Sequence, residues 1–512
     1  MSRKSAIIVG VAAVYVALRI AGIAESCLWF DEIFGVHAAE HPWGEMFGFI
    51  AQDLIHPPLF YVVLKLWMAI GGDGVWWLRL LPVVFSVLAM FPFLQICREL
   101  KLRYFAVVVA FTLFAVNGAL IKYAQEVRMY SMLLFLSLMS VWLFTRYFVK
   151  GKSFVVLVIV NLLMVHTHYY GWLVVGAEIA AIAAFQRIKL RETLLMAGIT
   201  AAGFLPWAWA VVSAARGGAD VGQNIGWIER PAVGAVAGLL LDVVEPFYFQ
   251  LNSAEPASIF VISVPLLLLI GYAAIRYLQG SPNIDEKRNA YLLGILTCVP
   301  VFAALLLSWT LPHSVWGSRH LIVVFAPFLI LSAVFLTELK NTIERTLVLT
   351  LIGTGILVSL VPFAFTPTQE QPWCKWEKAA QIILSSEDGP IKQGEPVAVY
   401  GFEDLSVYHL WFALRNNPNY RVYKVDGIDG LIEDKAYFLP RGFFNVEKVG
   451  LDGIDDERLC ASFRGAETAE QRLHVSVLSE RGYTEKRSEI LSGPVEKVFL
   501  VEFFRQPGAI TK

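Results

Sequence analysis

The sequence predicts a mainly α membrane protein with a soluble α/β domain at its C-terminal end, and three observations predict it. Hydrophobic residues make up 57% of the 512 and charged residues only 17%, which excludes an ordinary soluble enzyme. Apolar runs near the ~20 residues that a spanning helix needs recur from Ser5 to Phe365. Beyond about Pro367 no run is long enough to span, and that stretch holds more than half of the acidic residues. The formal net charge of −1 lacks the basic excess that nucleic-acid binding needs, so no nucleic-acid partner is predicted.

Taken in order, the short basic start Arg3-Lys4 precedes the run Ser5–Ala24. This run is too long for a signal peptide and lacks a small-residue cleavage site, so it reads as a retained span. Further spans are expected at Val75–Ile96, Tyr104–Leu120, Val127–Val149, Ser153–Val165, Tyr169–Phe185, Thr193–Ala214, Ala257–Tyr277, Ala290–Trp309, His320–Leu336 and Thr346–Phe365. That makes about eleven transmembrane helices. Pro58–Ile70 and Val233–Val244 fall below the minimum of roughly 17 residues and read as juxtamembrane helices, in the first and a later external loop. Ser153–Val165 is also short, but the charge pattern requires a crossing there.

Basic residues then fall on one side: Arg3-Lys4, Arg98 with Lys101 and Arg103, Arg146 with Lys150 and Lys152, Arg187 to Arg191, Arg276 with Lys287 and Arg288, and Lys340 with Arg345. By the positive-inside rule the N-terminus is cytoplasmic, and the tail is periplasmic or otherwise extracytoplasmic on an inner or plasma membrane. Residues 1–366 form a transmembrane domain with a first external loop at 25–74, and residues 367–512 form an external domain. In the tail, strand-like runs at Val397–Tyr400, Tyr420–Val425, Ala436–Leu439 and Val498–Phe504 accompany a helical pattern around Leu405–Leu414. In an oxidising compartment Cys374 and Cys460 are the natural pair, with two separate buried thiols as the alternative.

This orientation gathers polar residues on the external face. The adjacent acids Asp31 and Glu32 stand where the chain leaves the first span, and His56-Pro57-Pro58 closes the same stretch. A carboxylate at a membrane surface costs free energy unless water, a partner or a substrate engages it. An inert acidic helix start is the plain alternative. Glu126, Arg128, Tyr130, His168, Tyr169, Arg319 and His320 lie at other external ends, and Arg79 lies just inside the second span. A charge in the apolar layer costs about 2.5 kcal/mol or more, so Arg79 and Arg128 call for anionic partners. Each group alone also reads as an interfacial anchor. Together, acid, imidazole and guanidinium groups describe a site for a phosphate-bearing substrate whose apolar part enters from the membrane.

Six motifs carry a resemblance: Trp29-Phe30-Asp31-Glu32, His56-Pro57-Pro58-Leu59, Arg79-Leu80-Leu81-Pro82, Tyr123 through Ser131, Thr167-His168-Tyr169-Tyr170-Gly171 and Ser318-Arg319-His320-Leu321. In order and topology, over roughly residues 1–366, they resemble the integral-membrane glycosyltransferases of the protein O-mannosyltransferase and aminoarabinose-transferase type. That resemblance implies a polyprenyl- or dolichyl-phosphate sugar as donor, with an acid pair in a long first external loop. The chain departs from the mannosyltransferases in having only a loop at Arg216–Pro256 where they carry a β-trefoil insert. It departs from the aminoarabinose transferases in having His56 where they have a lysine. Bacterial relatives with other acceptors fit best.

The expected chemistry follows. Asp31 takes the proton of an acceptor hydroxyl as general base, Glu32 orients it or binds the acceptor, and one displacement inverts the anomeric centre. Arg128, Arg319 and His56 stabilise the departing lipid phosphate, and Arg79, Glu126, Tyr130, His168, Tyr169 and His320 complete the substrate-binding set. The partners are the polyprenyl-phosphate sugar, an acceptor lipid, glycan or protein, and the membrane lipids. A divalent metal bridging the acids to the phosphate is compatible with this set, though the sequence shows no dedicated metal site. A glycan ligase or polymerase with the same donors, and a lipid-linked sugar transporter, are the rival readings. A transporter would place its ionisable groups near the bilayer midplane and show two similar halves.

Overall fold

A computed structural model describes residues 3–245, 263–280, 282–339, 341–365, 374–385, 396–426, 438–465, 470–492 and 497–505. The chain forms two units, one of residues 1–24 and 38–368, the other of residues 25–37 and 369–512. The cut therefore does not run once through the chain. Residues 25–37, from the stretch expected to be the first external loop, group with the tail.

The first unit is helical. Four of its described helices are long and apolar enough to cross a membrane: Val75–Glu99, Tyr130–Lys150, Arg187–Arg216 and Ile284–Thr310. Shorter apolar helices include Tyr104–Val116, Phe154–Thr167, Gly171–Phe185, Val264–Gln279 and His320–Leu336, so helix length by itself does not establish eleven crossings. The short helices expected in external loops run from Leu59 to Gly71 and from Val233 to Val244.

Polar side chains interrupt the apolar runs at defined places. The run expected at Tyr104–Leu120 breaks at Asn117, between the helices Tyr104–Val116 and Gly118–Ala124. Asn117 caps the second helix through its Oδ1, which accepts from the Leu120 amide at 2.9 Å, and its Nδ2 donates to the Val243 carbonyl at 2.8 Å. One side chain thus serves two helix ends whose backbone groups lack intrahelical partners. Arg19 is fully buried and gives hydrogen bonds to the carbonyls of Phe114 and Ala115 at the end of the broken helix. A cation there meets the negative end of the helix dipole, and its guanidinium stacks on Tyr15 at 3.3 Å. Further along, Glu178 accepts from Ser140 at 2.6 Å and from Asn161 at 2.8 Å, tying three helices together with the polar contacts such interfaces favour.

The second unit holds a six-stranded sheet: β1 (Val397–Gly401), β2 (Tyr420–Asp426), β3 (Glu447–Gly450), β4 (Arg458–Gly465), β5 (Tyr483–Ser492) and β6 (Lys497–Arg505), in the order β3-β2-β1-β4-β6-β5. The first four positions in that order are parallel, and β6 and β5 close the sheet antiparallel. Val399 lies opposite both Val422 and Cys460. The core is Phe402, Val425, Leu459, Phe463, Phe499, Val501 and Phe503. The expected run Ala436–Leu439 is no strand where it is described, at Phe438 and Leu439, and its first two residues lie outside the described residues.

The cysteine pairing differs from the expected one. Cys374 is bonded to Cys27, a sequence separation of 347, whereas Cys460 is a buried free thiol within β4. Cys374 is taken by Cys27, which leaves Cys460, in the strand between β1 and β6, as a thiol. Burial pushes its thiol up to about 12.

Candidate active site

The acid pair opens the helix Phe30–Glu40. Glu32 is fully buried, and its Oε2 accepts from the Trp29 amide at 3.1 Å. This is the reach-back of a carboxylate at the third helical position to the capping amide. Asp31 is half-buried in the same turn. The pair is therefore not two equivalent acids. One closes the helix end, and the other is the more accessible. Both belong to the second unit.

The first unit contains the other constellation. The helix Trp43–Asp53 stops at Leu54, whose φ of 63° is left-handed, and Pro57-Pro58 biases the preceding residue away from helix. His56 sits in that short link with its ring buried. Its Nδ1 lies 2.7 Å from Asp53 Oδ2 and its Nε2 lies 3.0 Å from a guanidinium nitrogen of Arg128. Arginine only donates, so Nε2 accepts, and the ring is neutral with its proton on Nδ1, directed at Asp53. Asn224 holds the other Asp53 oxygen at 3.0 Å. The result is a chain of contacts from Asn224 through Asp53 and His56 to Arg128.

Arg128 is buried in the turn before the helix Tyr130–Lys150. Beside it lies a group of rings. His168 is 6.1 Å from His56 and 5.1 Å from His320, Tyr130 is 6.4 Å from His168 and 6.1 Å from His320, and Tyr170 is within 5.4 Å of both imidazoles. The Tyr170 amide donates to His168 Nδ1 at 3.1 Å, leaving the ring proton on Nε2. Burial first, then His56, Arg128 and Arg319, push His168 well below the ordinary histidine range. Two arginines from distant parts of the chain thus act on one imidazole, and His168 stays neutral beside them.

The remaining expected residues are placed differently. Arg79 is buried and donates to the Ile23 carbonyl at 3.1 Å, where the first helix has ended. The Tyr169 hydroxyl donates to the Leu54 carbonyl at 3.2 Å, fastening the link that carries His56. Glu126 is buried, and its carbonyl accepts from the Arg128 amide at 2.6 Å. His56, expected as a donor to phosphate, has its Nε2 accepting from Arg128. Asp53 and Asn224 lie outside the expected set, and Tyr170 belongs to it only through the Thr167–Gly171 motif. Of the first two, Asp53 left a signal in the sequence, as an acid three residues before His56. Among the described residues no three His, Cys, Asp or Glu side chains are grouped to hold a metal ion.

Neither a protein-family model nor a curated protein sequence matches the chain. Solved structures do. ArnT from Cupriavidus metallidurans bound to undecaprenyl phosphate is 12% identical with a TM-score of 0.60, over 96% of this chain and 97% of that one. The fold is the one seen in ArnT. The apo state of the same ArnT gives a TM-score of 0.59 over 98% of each chain. The Archaeoglobus fulgidus oligosaccharyltransferase in complex with Zn and sulfate is 15% identical with a TM-score of 0.50 over 81% of this chain, which spans 62% of that protein's length. At these identities the likeness is one of fold. It includes the sheet domain, since the match to ArnT runs over nearly the whole of both chains, and it agrees with an integral membrane protein.

Proposed function

We propose that this protein transfers a sugar from a polyprenyl-phosphate donor to an acceptor on the external face of the membrane. The observation that carries the reading is the cluster in which Arg128 meets His56 at 3.0 Å, His56 lies 6.1 Å from His168, and His168 lies 5.1 Å from His320, the residue after Arg319. Two guanidinium groups facing one cluster repel each other, and a phosphate relieves that repulsion. The fold shared with ArnT, which was captured with undecaprenyl phosphate, supports the same ligand class.

In this mechanism Asp31 accepts the proton of the acceptor hydroxyl while that oxygen attacks the anomeric carbon. The bond from that carbon to the phosphate oxygen breaks, and its electron pair leaves on the lipid phosphate. Arg128 and Arg319 stabilise the charge that develops there. His56, neutral and held by Asp53, fixes the direction of the Arg128 fork. A single displacement inverts the anomeric centre and needs one base, in keeping with the helix-capping role of Glu32. The transferred group is a hexose or pentose, and the acceptor is a lipid, glycan or protein. The proposed topology has about eleven crossings, a cytoplasmic N-terminus and an external tail.

The test is Asp31→Asn in the full-length protein. Turnover is read as undecaprenyl phosphate released from lipid-linked sugars extracted from native membranes. A fall of roughly two orders of magnitude or more is expected, the usual scale for loss of a general base. Near-normal turnover in a folded Asp31→Asn protein removes Asp31 from the mechanism.

A further inference from the structure

The residues that carry the acid pair are built into the sheet domain rather than into the helical unit. Residues 25–37 group with the tail, and two separate anchors hold them there. On one side of the pair, Cys27 is covalently bonded to Cys374 at the start of the tail's first helix, Cys374–Ser385. On the other side, His37 Nδ1 lies 3.0 Å from the Tyr408 hydroxyl. The same imidazole meets Trp411 edge-on at 4.6 Å and Phe443 at 5.4 Å. Phe30 packs on Tyr408 at 5.1 Å. His37, Tyr408 and Trp411 are all buried.

Helical geometry separates anchor from chemistry. Phe30 and His37 are seven residues apart, about two turns, and so share one face of their helix. Both meet the 404–414 helix of the tail through Tyr408. Asp31 follows Phe30 by one residue, about 100° around the helix, and leaves that anchored face. A polar ring hydrogen-bonded within an aromatic enclosure is a costly way to fill a core, since Leu or Met would pack there without a hydroxyl partner. Its gain is direction, because a hydrogen bond fixes rotation and register where apolar packing tolerates slip.

We propose that the sheet domain is the positioning device for the proposed base, acting through His37 with Tyr408 on one side of Asp31 and the Cys27–Cys374 bond on the other. This rests on the reading of Asp31 as general base. His37 and Tyr408 are then positioning residues that touch neither donor nor acceptor, and the oxidised state of Cys27 and Cys374 is a condition of full activity. A displacement of about 1 Å at a reacting group costs on the order of 100-fold in rate, so loosening either anchor is expected to appear in turnover before it appears in donor binding.

The experiment uses the full-length protein in detergent or lipid nanodiscs. It compares Tyr408→Phe, the double variant Cys27→Ser with Cys374→Ser, His37→Ala and His37→Asn, whose amide can still reach a hydroxyl. Three quantities are read: release of undecaprenyl phosphate from extracted lipid-linked sugars, the Kd for undecaprenyl phosphate alone, and amide hydrogen exchange over residues 30–37 against the helix Leu59–Gly71. The expected result for Tyr408→Phe, His37→Ala and the double cysteine variant is faster exchange over 30–37 only. Turnover falls about tenfold or more, and the Kd stays within about twofold, because the anchors are remote from the phosphate groups in sequence and mechanism. His37→Asn recovers most of the turnover lost in His37→Ala. A Kd that worsens in parallel with turnover marks a general loss of structure and overturns the proposal. Unchanged exchange and turnover in the anchor variants, alongside an inactive Asp31→Asn protein, overturns the positioning role and leaves the base intact. Normal turnover in Asp31→Asn overturns both.

Discussion

Arg128 donates a guanidinium N–H to His56 Nε2 at 3.0 Å, and His56 passes its own Nδ1 proton toward Asp53 at 2.7 Å. The pairing is unusual in putting a cation against a neutral base rather than an acid. It leaves the positive charge of Arg128 in place and fixes only its direction.

That relationship makes Asp53 and His56 testable as supports for Arg128. His56→Ala removes the acceptor, and Asp53→Asn removes the charge that holds the ring tautomer. Each is expected to weaken undecaprenyl phosphate binding about tenfold, since a hydrogen bond to a charged group is worth roughly 1.5–3 kcal/mol. Titration calorimetry on the purified protein checks it, and unchanged affinity in both variants would separate His56 from the phosphate site.

The two arginines are expected to matter for their shape as well as their charge. Arg128→Lys and Arg319→Lys keep the charge and lose the planar fork, so both weaken polyprenyl-phosphate binding, and alanine at either site weakens it further. Lysine variants that bind as well as the native protein would show that charge alone suffices.

Topology can be read by labelling. With Cys298, an exposed thiol, replaced by serine, Glu485→Cys should react with a membrane-impermeant maleimide in intact cells, and Arg187→Cys should not. The reverse pattern would invert the assignment and place the tail in the cytoplasm.

The tail should lose stability in acid through His409. Burial pushes this imidazole down to about 3 from the ordinary 6.5, and its ring lies 5.2 Å from Trp376. Between those pH values the unfolded chain binds a proton that the folded domain does not, so stability falls as pH drops below about 6.5, by at most ~1.4 kcal/mol per pH unit. Thermal melts of the protein and of His409→Phe from pH 7 to pH 4 should show a shallower acid slope in the variant. Equal slopes would mean that other groups set the acid limit.

The chain's composition and apolar runs were enough to specify a helical membrane protein with a polar tail, because the need to satisfy backbone groups in hydrocarbon leaves few alternatives. Strands β1, β2 and β6 and the helix Asp404–Leu414 were legible as local patterns of apolar and β-branched residues. Strand β4 was not, because it carries Arg458 and Arg464, which read as solvent-facing until Glu502 and Glu403 meet them at 2.6 and 2.5 Å. Strand β5 was hidden for a similar reason, being rich in the charges typical of a sheet edge.

At the site, the sequence by itself named Asp31, His56, Arg128, His168 and Arg319, since such groups are costly at a membrane surface and stand out against apolar neighbours. Only tertiary structure decided what each meets. It set His56 Nε2 against Arg128, Glu32 at the helix end and the Tyr169 hydroxyl on the Leu54 carbonyl, and paired Cys374 with Cys27 across 347 residues. These are contacts between residues far apart in sequence or between hydrogen-bond partners of fixed direction. Local periodicity carries no information about either, because it records which side of an element is apolar and not which element comes to meet it.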